Sequence, residues 1–341
     1  MFGPRSVSPT AVRLDEPAWP AVRSRPAPRT LLVATAGGHL DELKLLVEVL
    51  DIDVRNAVWV TSRNAQTEAL LADDEVVWVP PVGSGHRLRA ASRLPMAMRV
   101  HRRIRPDRVI TTGALFSTPH LVAASLARTP TWFIDSATRV AGPSSTGKFV
   151  SRFTRAKLHV QGDGWGDQRW TPVPSVFDSF DVRPAAAPRA RIRTAVVALG
   201  TEVWPFTRAV DRVLELLPDT EIVWQVGVTD YIRGGTQLQR WLPPAELRRA
   251  MREADVVIAH AGVGTVLAAL GEGKVPVVLP RLEAQREHVD DHQVEVAAML
   301  DRRSLVVSVD PIDLTLDDLL RAARLEAHHR VAGQVSSADA S

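Results

Sequence analysis

His260-Ala261-Gly262-Val263-Gly264-Thr265 follows the apolar run 256–259 and opens a helical stretch, and eighteen residues after Gly271 comes Val289-Asp290-Asp291-His292-Gln293. A buried strand that ends in a turn of small residues and continues as a helix leaves free backbone N–H groups, and the positive end of the helix dipole, directed at one spot. Such a spot suits a diphosphate. The next apolar run, 275–280, returns to the same sheet edge. His292 and Gln293 open the helix that follows, where they are placed to read the hydroxyls of a sugar.

On either side of this turn the chain alternates short β-branched runs with longer amphipathic ones. Strands are expected over 194–199, 221–225, 256–259, 275–279 and 304–309, with helices over 204–217, 243–250, 265–270 and 290–301, and a late helix over 314–328. The first half repeats the pattern: strands over 30–35, 57–61, 76–79, 108–112 and 131–134, helices over 40–50 and 64–72, a basic helical stretch reaching 105, and a helix through Pro119 to Ala127. Strands alternating with helices specify parallel, doubly wound sheets. The expected fold is therefore α/β, with two Rossmann-like domains facing a cleft, over 30–170 and 191–330. Pro172, Pro174, Pro184 and Pro188 make 171–190 read as a linker. Residues 1–29 read as a disordered lead-in and 331–341 as a disordered tail, because neither carries periodicity.

A length of 341 residues fits two domains of about 150 each. The absence of cysteine excludes disulfides and thiolate metal sites and points to the cytoplasm. No apolar run approaches the roughly 18 residues of a membrane span, and the first 28 residues hold no signal-peptide core. The formal charge of +3 is too small to argue for nucleic acid. Its distribution is more informative: Arg87, Arg89, Arg93, Arg99, Arg102, Arg103, Arg105 and Arg108 are opposed only by Asp107. Leu88, Leu94, Met96, Met98, Val100 and Ile104 interleave with them. Such a helix can rest on anionic lipid, each arginine adding roughly 1 kcal/mol near the surface; the alternative is a plain solvated face. Arg87, Arg93, Arg99, Arg102 and Arg103 are the expected membrane contacts, and Pro95 is expected to kink or split the helix. The stretch lacks the aromatic interleaving of a nucleic-acid module.

Thr35-Ala36-Gly37-Gly38-His39-Leu40 leaves the first strand and opens a helix. Its glycines let a phosphate or sugar approach the backbone, and His39 supplies a group that titrates near neutrality; a plain strand-to-helix turn is the competing explanation. The pair is not the spaced glycine fingerprint of dinucleotide folds, which disfavours a dehydrogenase. Thr112-Gly113 and Asp135 end later strands at the same carboxyl edge, where open α/β sheets bind ligands. Asp135 is either a catalytic or orienting carboxylate or a helix N-cap. The 142–148 loop (GPSSTGK) lacks the residue pattern of a nucleotide-triphosphate loop and does not come directly off a strand. Asp51 and Asp53 fall at the far end of the first helix, so no metal is assigned to them.

These stretches resemble a known family. Residues 35–42 (TAGGHLDE), 109–113 (VITTG), 134–161, 199–206 (LGTEVWPF), 260–270 (HAGVGTVLAAL) and 287–297 (EHVDDHQVEVA) are similar, in this order, to the two halves of a bipartite glycosyltransferase. Those halves are the acceptor and donor subunits of the eukaryotic N-acetylglucosaminyltransferase that adds the second sugar to dolichol-diphosphate, and their bacterial counterparts in exopolysaccharide and capsule synthesis. More distantly, the layout is similar to the lipid II-forming peptidoglycan glycosyltransferase, a family 28 enzyme of GT-B fold. The resemblance implies an inverting, metal-independent transfer from a UDP-sugar to a lipid-diphosphate-linked acceptor at the inner membrane face. It implies that Gly200, Thr201 and the turn Gly262, Val263, Gly264 and Thr265, headed by His260, face the donor diphosphate. His292 and Gln293 would meet the donor sugar, and Gly37, Gly38, Thr112 and Gly113 would line the acceptor side. His39 would sit opposite as base or acceptor binder; the mechanism makes it the first choice of base, with Asp135 second. Where the family carries a ribose-binding glutamate this chain has Ala268, with Glu272 one turn later. The eukaryotic acceptor subunit has an N-terminal membrane anchor; the corresponding segment here is polar, which leaves the basic helix as membrane contact.

Inverting transfer needs a base for the acceptor hydroxyl and a positive environment for the departing UDP. Two other readings fit the architecture: a UDP-binding partner protein without turnover, and a UDP-sugar 2-epimerase, which would need more carboxylates in the cleft.

Overall fold

The computed structural model describes residues 27–82, 86–200, 203–233, 236–288 and 290–330. Most of the expected lead-in and the whole of the tail therefore lie outside the described residues.

The first domain runs β1 (Thr30–Val33), α1 (Gly38–Val49), β2 (Ala57–Thr61), α2 (Ala65–Leu70), β3 (Glu75–Trp78), α3 (Arg87–Ser92), α4 (Leu94–Ile104), β4 (Arg108–Thr111), α5 (Ala114–Ala127), β5 (Thr131–Ile134), α6 (Ser145–Phe153), β6 (Lys157–Gln161) and β7 (Trp170–Val173). All seven strands are parallel, in the order β3-β2-β1-β4-β5-β6-β7. Alternate residues of each strand reach opposite faces. Leu31, Val33, Val58, Val60 and Val109 pack with Val100 of α4 and with Phe116 and Ala124 of α5, while Leu32, Trp59, Ile110 and Ile134 pack with Leu40, Leu43, Leu46 and Val47 of α1. The spacing of those four residues is what makes 38–49 an amphipathic helix.

After β8 (Phe180–Pro184) the second domain runs β9 (Thr194–Ala198), α7 (Thr207–Leu216), β10 (Glu221–Gln225), the short hairpin β11 (Ile232–Arg233) and β12 (Thr236–Gln237), α8 (Pro244–Glu253), β13 (Val256–His260), α9 (Val263–Gly271), β14 (Val277–Leu279), α10 (His292–Arg302), β15 (Val307–Ser308), α11 (Leu316–Ala323) and β16 (Leu325–His329). Its main sheet is parallel, ordered β10-β9-β13-β14-β15.

The proline-rich stretch differs from the linker expected over 171–190. Its start, β7, completes the first sheet, with Pro172 on an edge strand where its missing N–H is tolerated. Its end, β8, pairs antiparallel with β16. The late helix accordingly stops at Ala323, and the chain becomes a strand because β8 supplies a partner.

Both sheets reverse their strand order beside a glycine turn. In the first, β1 and β4 are neighbours and deliver Gly37 and Gly113; in the second, β9 and β13 deliver Gly200 and Gly262. The two reversal points meet. A Cβ built on Gly38 would lie 3.4 Å from the Gly264 nitrogen, and one on Gly264 would lie 2.8 Å from Gly38 Cα. Behind them α1 packs on Val263, Val266, Leu267 and Leu270 of α9 within one apolar cluster.

Candidate active site

The helices that open at this seam begin on glycine. Gly37, Gly113 and Gly262 are the N-caps of α1, α5 and α9, and none of the three helices has a side-chain cap. Side chains cap only α2, α6 and α11 among the described α-helices, through Asn64, Ser144 and Thr315; α3, α4, α7, α8 and α10 are also uncapped, so what sets the three seam helices apart is the glycine itself. A first turn without a cap keeps N–H groups for an anion. Gly37 and Gly113 adopt φ of 92° and 102°, which only glycine holds without strain.

His39 is the second residue of α1. Its Nδ1 lies 3.4 Å from Thr112 Oγ1, whose hydroxyl in turn donates to the His39 carbonyl at 3.2 Å. One helical turn on, Glu42 brings Oε2 to 3.7 Å from the same Nδ1. Glu42 is buried and accepts from Ser136 Oγ, Ala137 N and Gln161 Nε2. Burial, followed by the Arg139 charge, pulls His39 down to about 4. Burial pushes Glu42 up to about 7 despite its three donors. At neutral pH the imidazole is therefore free of its extra proton and has a titrating carboxyl behind it. Glu42 was not singled out from the sequence, although its position three residues after His39 on a helix puts both on one face.

Asp135 is corrected as a candidate base. It is 1% exposed, and its two oxygens accept from the backbone N–H groups of Ser136 and Ser144. Burial raises its pKa. The carboxylate fastens the 142–148 loop to the sheet: a Cβ on Gly147 would stand 2.5 Å from Asp135 Oδ2.

On the facing domain His260 is buried against its own turn. Its ring fills the space over two glycines, where a Cβ on Gly200 would fall 2.5 Å from Nε2 and one on Gly262 2.1 Å from Cε1. Nε2 lies 3.2 Å from Thr265 Oγ1. Burial, then the Arg281 charge, lowers His260 to about 3, so it stays neutral. Val263 turns its side chain into the core and offers the seam only its backbone. Thr201 lies outside the described residues.

Two further expectations on this domain change, and a third gains a constraint. Gln293 is 2% exposed, and its Oε1 accepts from Ala261 N and Arg281 N, so it ties the ends of β13 and β14 together and does not face the seam. Glu272 is the C-cap of α9, at the end away from the turn, and pairs with Arg252 and Arg248. It therefore does not replace the glutamate missing at Ala268. His292 does face the seam but is held by Asp290, whose other oxygen lies 3.5 Å from Arg139 of the first domain. The sequence also gave no sign of Arg281, a fully buried cation stacked 4.6 Å from the Phe206 ring that donates to the carbonyls of Leu199, Trp204 and Glu287.

The basic stretch is split at Arg93 into α3 and α4, as Pro95 predicts. Its apolar face is largely turned inward: Val100 is buried, and Met96 and Ile104 pack on the first domain's core. Arg93 is half-buried, whereas Arg87, Arg99, Arg102, Arg103 and Leu88 are exposed. No helix among the described residues is long and apolar enough to cross a membrane.

Two parallel α/β domains joined at their reversal points define the GT-B architecture of glycosyltransferases. Residues 204–328 match the glycosyltransferase family 28 C-terminal domain. Among curated proteins, the chain is 28% identical over 301 residues to the UDP-N-acetylglucosamine--N-acetylmuramyl-(pentapeptide) pyrophosphoryl-undecaprenol N-acetylglucosamine transferase of Marinobacter nauticus, covering 79% of this chain and 80% of that one. The enzyme of the same name from a Neisseria meningitidis serogroup A strain is 24% identical over 319 residues, covering 85% and 87%. Among solved structures, MurG of Acinetobacter baumannii superposes with a TM-score of 0.52 at 18% identity, covering 86% of this chain and 89% of that one. The spinosyn forosaminyltransferase SpnP gives 0.56 at 14%, covering 87% and 89%.

Proposed function

We propose that this chain is an inverting, metal-independent glycosyltransferase that moves a hexose-type sugar from a UDP-sugar to a lipid-diphosphate-linked acceptor, at the cytoplasmic face of the membrane, in the synthesis of exopolysaccharide or another cell-surface glycan. One observation carries the proposal: His39, backed by Glu42, stands at the first turn of α1 directly across the seam from the uncapped first turn of α9. The curated relatives, by their names, use a UDP-sugar and a pyrophosphoryl-lipid acceptor, which supports the same classes of donor and acceptor here.

In this mechanism His39 takes the proton of the acceptor hydroxyl as that oxygen attacks the anomeric carbon. The bond to UDP breaks, and the Val263 and Gly264 N–H groups with the α9 dipole stabilise the charge left on the diphosphate. Glu42, once ionised, stabilises the imidazolium. The exposed arginines of α3 and α4 hold the first domain against anionic lipid.

The test is a donor screen in which the full chain is incubated with membranes and individual labelled UDP-sugars, UDP-N-acetylglucosamine first. Label in the lipid fraction, dependent on the protein and with inverted anomeric configuration, is the expected result. UDP binding without transfer would favour the non-catalytic partner, and a new free UDP-sugar isomer the epimerase.

A further inference from the structure

One side-chain cluster on the donor-side domain supplies no group to the proton transfer or to the departure of UDP described above. His288, Asp290 and His292 alternate along the segment entering α10, and their ligand atoms all lie within 4.8 Å of one another. Both imidazoles aim Nδ1 at one carboxylate oxygen: His288 Nδ1 is 3.3 Å from Asp290 Oδ1, and His292 Nδ1 is in closer contact with the same atom. His288 Nδ1 is buried and makes no hydrogen bond among the described residues. Its neighbour is the Asp290 carboxylate at ion-pair distance, and an ion seated between the two would satisfy the nitrogen.

The spacing suits a metal ion. At ligand distances of about 2.0–2.2 Å, two ligands at the tetrahedral angle stand about 3.4 Å apart, close to the separation of His288 Nδ1 and Asp290 Oδ1. His292 must retreat slightly from the carboxylate to join them. Arg139 approaches the other carboxylate oxygen, Oδ2, at 3.5 Å and leaves Oδ1 to the cluster. Arg139 and the N-terminus of α10 both oppose a cation, so the ion must be one that gains strongly from imidazole nitrogen. Magnesium and calcium prefer oxygen ligands; zinc-class ions take two imidazoles and a carboxylate readily.

We propose that His288, Asp290 and His292 bind one divalent ion of the zinc class, and that the bound ion antagonises the donor. The antagonism rests on the proposed function together with the resemblance that puts His292 at the donor sugar; the ion site itself does not. The test uses the full chain, freed of metal with a chelator and titrated with Co²⁺ by absorbance and with Zn²⁺ by calorimetry, without substrates. One ion per chain is expected, with no response to Mg²⁺. His288→Ala and Asp290→Asn should each weaken binding by more than the roughly 10- to 100-fold that loss of an outer-shell partner costs, with metal-free Tm close to the parent. Absence of stoichiometric binding by the parent, or binding retained in both variants, overturns the site. Titrating UDP with and without saturating Zn²⁺ then reads the antagonism: affinity should fall in the parent but not in His288→Ala, which also controls for zinc bound to UDP itself. Equal affinity in the parent overturns the antagonism. A parent that binds Zn²⁺ but never UDP would instead count against the donor reading.

Discussion

His39 and Glu42 titrate in opposite directions for the same cause, since burial disfavours the charged form of each. Across neutral pH His39 is unprotonated, and the group that changes is Glu42. As pH rises through about 7 the Glu42 carboxyl loses its proton, and a negative charge then stands 3.7 Å from His39 Nδ1 and strengthens it as a base. The expected kcat/KM profile for transfer rises through about pH 7, and Glu42→Gln should flatten that limb; an unchanged profile in the variant would remove Glu42 from the mechanism. His39→Ala should lose at least about a hundredfold in rate, with UDP affinity and Tm near the parent. Activity within a few fold of the parent rules His39 out as base. His39 was readable because a strand-turn-helix junction carries it. Sequence leaves Asp135 open between a catalytic or orienting carboxylate and an N-cap for a physical reason: a carboxylate at a strand end looks the same in sequence whether it faces solvent or a backbone loop, and the closure of 142–148 over it favours the orienting role.

Between elements, the decisive contact is α1 on α9. Gly264 has no room for a side chain because the nearest atom to its Cβ position is backbone, Gly38 Cα at 2.8 Å. Gly264→Ala should therefore force the two helices apart. The expected outcome is reduced transfer and a larger radius of gyration with unchanged far-UV circular dichroism, and parent-like values of all three would show that the seam tolerates opening. The α3–α4 pair carries a second test. Its apolar residues other than the exposed Leu88 face largely inward, so lipid attraction falls to Leu88 and the exposed arginines. Replacing Arg99, Arg102 and Arg103 with glutamate should abolish sedimentation with anionic liposomes; sedimentation at the parent level counts against membrane contact here. The helical period of 94–104 is plain in sequence, but periodicity cannot say whether the apolar stripe meets a core or a bilayer.

Over the whole molecule, buried histidines govern acid stability. Burial holds His39, His120 and His159 at about 4 and His260 at about 3. Each folded value lies below the ordinary one near 6.5, so the unfolded chain takes the proton first and stability is lost as pH falls from 6.5 toward 4. Glu42 and Asp41, raised to about 7 and about 6, act oppositely, losing stability as pH rises through those values. Asp135, also raised by burial, acts in the same direction as these two carboxyls; the four histidines outweigh the three carboxyls, and the Tm should fall steadily between pH 6.5 and 4, so a flat Tm over that range would refute the balance. Sequence alone determined the two doubly wound domains and the glycine turns at their reversal points, because strand and helix periods, glycine φ and small-residue junctions are local properties. Tertiary structure alone decided that the two turns touch, that Glu42 backs His39, that Gln293 and Asp135 serve the scaffold, and that the end of the chain pairs as β16 with β8. Each of these depends on burial and on partners distant in sequence, and hydrogen bonds such as Gln161 to Glu42, 119 residues apart, leave no trace in local pattern.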